Sequence, residues 1–187
     1  MPNLEQQLQQ AGIDYKRNES MANHTTWRAG GPADWFISPK NKGELQRVMQ
    51  ILHRENVPWR AIGRGSNMLV RDGGFDGAVI KLGKGFDYVH IDGERVTAGG
   101  SYSFVRLAAV TAKAGLAGLE YGAGIPGSIG GAVYMNAGAH GSEISETLVS
   151  AEVLLGNGEL VTMSNRDLKF RYRTSLLQQE VQGIVTE

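Results

Sequence analysis

The sequence predicts an α+β fold in two units, on three observations. Up to about residue 83 the order reads strand, helix, strand, loop, strand; from Phe86 the pattern changes to hairpins; and 26 of 187 residues are glycine, about twice the ~7% of ordinary proteins. That glycine has no short period, so it marks places where the backbone adopts unusual conformations or closely approaches something else. A chain of this length removes roughly 70% of its unfolded surface from water, enough for one large domain or two small ones. The expected organisation is an N-terminal helix and linker over 1–19, a first subdomain over 20–83 and a second over 84–187.

Leu4 to Ala11 reads as a short helix stopped by Gly12, and Asn18 to His24 as polar connection. Ala33 to Ser38 is a brief strand. From Lys42 to Arg54 the residues Leu45, Val48, Met49 and Leu52 share one helical face, with Asn41 and Glu44 spaced as a capping box. Strands follow at Val57 to Ile62 and, after the turn Asp72-Gly73-Gly74, at Ala78 to Leu82. In the second unit Tyr88 to Ile91 and Arg95 to Ala98 flank Asp92-Gly93 as a hairpin. Ser103 to Ala114 is a helix closed by Gly115, with Ser103 or Ser101 as its cap. Ala151 to Leu155 and Glu159 to Met163 flank Asn157-Gly158, a strong hairpin signal, and Asn165 to Leu168 reads as a helix start. Ile184 to Thr186 begins a strand at the end of the sequence, the pattern expected of a piece of a longer chain.

Composition narrows the chemistry. Lys plus Arg and Asp plus Glu both number 19, so no overall field draws in nucleic acid or an anionic membrane. No cysteine is present, which removes disulfides, thiolate nucleophiles and sulfur-ligated metals. His24, His53, His90 and His140 lack metal-ligand spacing, and Asp72, Asp76, Glu120 and Glu143 read as loop carboxylates. The N-terminus lacks the basic start and apolar stretch of a signal peptide, and no apolar run approaches the ~20 residues of a membrane helix. A soluble intracellular protein with a small or mixed ligand is expected.

Three segments carry candidate chemistry. In Gly63-Arg64-Gly65-Ser66-Asn67 two glycines let amides converge beside hydroxyl and amide side chains, which suits a phosphate or pyrophosphate; taken alone, such a pair is more often a tight turn. No third glycine opens a helix, which disfavours a Rossmann fingerprint, and no Gly-Lys-Ser/Thr follows, which excludes a P-loop. Gly118 to Gly141 holds eight glycines in 24 residues around Gly122-Ala123-Gly124-Ile125-Pro126-Gly127-Ser128-Ile129-Gly130-Gly131-Ala132. There Ser128 or the Gly127 amide starts a short helix through Tyr134 whose positive end favours a phosphate; close helix-strand packing is the alternative. In Phe170-Arg171-Tyr172-Arg173-Thr174-Ser175 two arginines flank a tyrosine and suit a carboxylate, although such alternation is commonly a solvated edge.

Taken together and in order, these motifs resemble the UDP-N-acetylenolpyruvoylglucosamine reductases. The matching pieces are Asn23-His24-Thr25-Thr26 with Arg28-Ala29-Gly30-Gly31-Pro32-Ala33, Gly63 to Asn67, Gly124 to Ser128, Asn136-Ala137-Gly138-Ala139, and Tyr172-Arg173 before Ser175, over about residues 20 to 187. The resemblance implies the FAD-binding fold of the vanillyl-alcohol oxidase type, two α/β subdomains with FAD between them. It implies that Gly63, Arg64, Gly65, Ser66 and Asn67, with Gly122, Ala123, Gly124, Ile125, Pro126, Gly127 and Ser128, hold the pyrophosphate and nearby FAD, and that Gly131, Ala132, Gly138 and Ala139 lie close to it. It further implies that NADPH reduces FAD, that hydride then passes to the enolpyruvyl group of a UDP-sugar, that Arg173 stabilises the enolate-like charge and that Tyr172 lines the same site. The protonating serine and a partner glutamate belong to a C-terminal substrate domain expected after Glu187, so this piece is expected to bind FAD without turnover. A cytoplasmic monomer without nucleic-acid or membrane partners is expected, and no metal. Oxidases of the same fold often tether FAD through His or Cys near the first loop, and Arg64 to Asp72 offers neither.

Overall fold

A computed structural model describes residues 4–187 and divides them into two compact units, one reaching to Gly85 and including Gly156–Glu159, the other comprising Phe86–Leu155 and Leu160–Glu187. The first three residues of the expected 1–19 segment lie outside the described residues.

The first unit is a four-stranded sheet with two helices. Its elements are α1 (Leu4–Gln10), β1 (Tyr15–Ser20), β2 (Pro32–Ile37), α2 (Lys42–Arg54), β3 (Trp59–Ala61) and β4 (Phe75–Ile80). The order across the sheet is β1-β2-β4-β3, with β1 antiparallel to β2 and both β2 and β3 parallel to β4. Helix α2 forms where the periodicity placed it, burying Leu45, Val48, Met49, Ile51 and Leu52. Its cap is Asn41, whose Oδ1 accepts the Glu44 N–H at 2.9 Å, while the Glu44 carboxylate reaches back to the Lys40 amide at 2.8 Å. The linker and polar connection expected before Ala33 need correction, because Tyr15–Ser20 is a paired edge strand. This segment has no apolar alternation to betray it. It is held instead by the Trp35 ring, against which Tyr15 tilts at 5.6 Å and over which the Arg17 guanidinium sits at 3.9 Å.

The second unit contains β5 (Val89–Asp92) paired with β6 (Arg95–Ala98), α3 (Phe104–Lys113), α4 (Ile129–Met135), a two-residue-stranded hairpin of β7 (Gly138–Ala139) and β8 (Ser142–Glu143), β9 (Ser150–Leu155), β10 (Leu160–Ser164), α5 (Leu176–Gln179) and β11 (Gly183–Val185). The strands β10, β9 and β11 make an antiparallel sheet, and its apolar side joins Phe104, Leu107, Ile129 and Val133 of α3 and α4 in one core. The hairpin expected around Asn157-Gly158 forms, with Leu154 and Leu160 as its last pair. One expectation changes: no helix starts at Asn165, because the Asp167 carboxylate accepts from the Ser164 amide at 2.9 Å and from its hydroxyl at 2.6 Å, tying residues 164–167 into a turn.

Candidate functional site

The first glycine loop leaves the carboxyl end of β3, beside the end of parallel β4, where open α/β sheets receive ligands. Ile62 continues the ladder by donating to the Ile80 carbonyl at 2.9 Å. Gly65 then takes φ 68, and a Cβ there would lie 2.1 Å from the His24 carbonyl oxygen, so only glycine fits. The Thr26 amide donates to the Gly65 carbonyl at 3.1 Å, clasping the loop against residues 24–26. The amides of Gly63, Arg64, Gly65 and Asn67 have no hydrogen-bond partner among the described residues. Arg64 and Asn67 are exposed. Burial, and then the Arg64 charge, push the Lys81 ammonium below the usual lysine range. Lys81 was missed in the sequence because a lysine after a strand has no motif; the parallel register of β3 and β4 places it beside the loop.

The second tract enters as a turn of 3-10 helix, Glu120–Gly124, and runs through Ile125 and Pro126 to Ser128, the N-cap of α4. The short helix expected from Ser128 forms, with its first-turn amides occupied. Ile129 donates to the Tyr102 carbonyl at 2.9 Å, Gly130 to the Gly100 carbonyl at 2.8 Å and Gly131 to Ser128 Oγ at 3.3 Å, so the first-turn amides are satisfied within the protein. The amides without a partner among the described residues are those of Gly127 and Ser128, just before the helix. Gly127 is pinned by accepting the Phe104 N–H at 3.1 Å. The glycines have distinct duties: a Cβ on Gly122 would meet the Phe104 ring at 2.7 Å, whereas one on Gly124 would meet nothing within 4 Å. Ala123 and Gly131 are exposed and Ala132 is buried. Gly138 and Ala139, half-buried in β7, pack against the same 3-10 turn.

The arginine turn belongs to this second unit. Arg171 and Thr174 exchange amide-carbonyl bonds, both 3.1 Å, leaving Tyr172 and Arg173 at the tip. Tyr172 is 81% exposed and the Arg173 guanidinium lies 5.1 Å from its ring centre. The hydrogen bond from Ser145, then Asn136, and more weakly the Arg173 charge, hold the Glu143 carboxyl below its usual range against the opposing effect of burial.

Unpaired amides beside Arg64 and Lys81 in the first loop, outside a Rossmann frame, and unpaired amides just before α4 in the second are each chemically suited to phosphate oxygens. The family described as "FAD binding domain" matches residues 33–164, and the chain belongs to it. Its cofactor is FAD. The chain is 52% identical over 185 residues to a UDP-N-acetylenolpyruvoylglucosamine reductase of Anoxybacillus flavithermus, covering 98% of this chain and 61% of that protein. Against the enzyme of the same name from Bacillus subtilis it is 52% identical over 170 residues, 91% of this chain and 56% of the relative. The chain thus spans about three-fifths of the length of the curated relatives it matches. Among solved structures, the UDP-N-acetylenolpyruvylglucosamine reductase of Thermus caldophilus superposes with a TM-score of 0.77 at 34% identity, over 93% of this chain and 59% of that one. Berberine bridge enzyme, at TM-score 0.70 and 12% identity over 99% of this chain and 43% of its own, shares the fold.

Proposed function

We propose that the chain is the FAD-holding part of an NADPH-dependent flavin oxidoreductase of peptidoglycan precursor synthesis, which reduces UDP-N-acetylglucosamine enolpyruvate to UDP-N-acetylmuramate. The observation that carries this reading is the 52% identity across 98% of the chain to a reductase so named. In this reading the amides of Gly63–Asn67 and of Gly127 and Ser128 hold the FAD pyrophosphate, assisted by Arg64 and Lys81, with Gly122 to Pro126, Gly131, Ala132, Gly138 and Ala139 nearby. FAD supplies a hydride acceptor and donor. Arg173 faces the substrate carboxylate and disperses the negative charge that develops beside it, as positioned cations do in transition states of this kind, while Tyr172 lines the same place. The enzyme acts as a cytoplasmic monomer on its UDP-sugar and NADPH, without nucleic acid or membrane. Spanning about three-fifths of its relatives' length, the chain by itself is expected to bind FAD without reducing substrate.

The test is anaerobic stopped flow on the full-length protein. NADPH should bleach the flavin and the enolpyruvyl nucleotide should restore its colour, and Arg173→Ala should slow only the second step, by ~100-fold or more. A reduced flavin that ignores the nucleotide but is reoxidised rapidly by oxygen, with turnover of a small alcohol, would identify an oxidase instead.

A further inference from the structure

Asn136 ends α4 in the left-handed region, φ 43, and is fully buried, so its amide must find its partners within the protein. Its Nδ2 donates to the Arg171 carbonyl at 3.0 Å, and its Oδ1 accepts the Ser145 N–H at 3.1 Å. The Arg171 carbonyl thereby receives two donors, Asn136 and Thr174. On the other side of the turn Ser175 Oγ donates to the Tyr134 carbonyl at 2.7 Å, and Gln178 Nε2 reaches the carbonyls of Tyr134 at 3.0 Å and Arg173 at 3.2 Å. Between these two attachments Arg173 is held at φ 56, a conformation that residues other than glycine rarely adopt and that persists only where its surroundings over-determine it. Ser145, at the far end of the Asn136 bridge, donates its hydroxyl to the Glu143 carboxylate at 2.6 Å.

We propose that Asn136 is a positioning residue for Arg173: it locks the 171–174 turn onto the end of α4 and onto the Glu143–Ser145 segment, so that the guanidinium is aimed before a substrate carboxylate arrives. The inference rests on the reading of Arg173 given above. A side chain on a turn tip otherwise samples many directions, and each must be given up on binding; fixing the backbone beneath it lowers that cost.

The test uses the full-length, FAD-loaded protein with Asn136→Gly, which relaxes the left-handed backbone but removes both bonds, and Asn136→Asp, which keeps the acceptor for Ser145 but loses the donor to Arg171. Asn165→Ala is the control: Asn165 Nδ2 bonds the Ser145 and Leu148 carbonyls at 2.7 and 2.8 Å and does not touch the arginine turn. Both Asn136 variants should exchange the amide hydrogens of residues 172–175 faster than wild type. They should also slow reoxidation of the reduced flavin by the enolpyruvyl nucleotide about 10- to 100-fold with a raised KM, and leave reduction by NADPH unchanged. Asn165→Ala should lower the melting temperature without either effect. Wild-type exchange at 172–175, or wild-type reoxidation, in a folded Asn136 variant overturns the proposal. If the wild-type flavin is itself not reoxidised by the nucleotide, the reductase reading fails, and hydrogen exchange alone decides whether Asn136 locks the turn. Should Asn136→Gly not fold, Asn136→Asp gives the same readings.

Discussion

At the scale of single residues, the glycines separate into those whose lack of a Cβ the fold itself requires and those whose lack it does not. Gly65 belongs to the first kind: at φ 68, with a Cβ that would strike the His24 carbonyl at 2.1 Å, Gly65→Ala should cost at least about 1 kcal/mol from the left-handed backbone alone. Its effect should appear as a lowered melting temperature even without flavin. Gly124 is of the second kind. With nothing within 4 Å of the missing Cβ, Gly124→Ala should change apoprotein stability by no more than about 0.5 kcal/mol yet weaken FAD binding, read by flavin fluorescence titration; equal affinity would remove Gly124 from the site. Lys81 is the residue the sequence concealed. Its ammonium is destabilised by burial and by Arg64, a cost that an anion in the loop would relieve. Lys81→Met should therefore weaken FAD binding about tenfold, the scale of a charged hydrogen bond, and flatten its dependence on salt.

Among the elements, legibility followed periodicity. The α2 helix was readable because four apolar residues repeat on one face behind an Asn cap, and Asn41→Ala should cost about 1 kcal/mol in thermal unfolding. Strand β1 was hidden for the opposite reason: Lys16, Arg17, Asn18 and Glu19 carry no alternation, and their strand is specified by a neighbour, Trp35, in β2. The site shows the same division. Bare glycine loops announce themselves by composition, but which amides remain unpaired depends on the carbonyls of Tyr102 and Gly100, distant in sequence. The contact between Glu19 of β1 and His24 also has a pH signature. A hydrogen bond from His24, at 2.9 Å, and then one from Lys16 hold the Glu19 carboxyl below its usual value of 4.5. A carboxyl lowered in the folded state stabilises fully above its unfolded pKa, and that contribution disappears as pH falls through the folded value. Glu19→Gln should accordingly make the melting temperature less steep between about pH 5 and about pH 3, with little change in slope near neutrality.

For the whole molecule, the balanced charge points to a small or mixed ligand and the glycine to a backbone that closely approaches something else, and the fold is of the vanillyl-alcohol oxidase type. Net charge is formally zero, so attraction for a pyrophosphate must be local; the candidate donors are the bare amides with Arg64 and Lys81 in the first unit and the bare amides of Gly127 and Ser128 in the second. Each unit has its own buried core, around Phe36, Ile62 and Val79 in one and around Phe104, Val133 and Val153 in the other. Both donor sets therefore rest on structure contained in this chain, although the chain is about three-fifths of its relatives' length. From this follows the expectation that the 187-residue chain, purified alone, binds FAD. Its visible spectrum should show a flavin band near one equivalent per chain after reconstitution, and FAD should raise the melting temperature in proportion to the logarithm of its concentration above Kd. Gly65→Ala and Gly124→Ala should each diminish that rise, the first together with the apoprotein's own stability and the second without it. A folded chain that stays colourless and whose melting temperature ignores FAD would show that the two donor sets do not suffice.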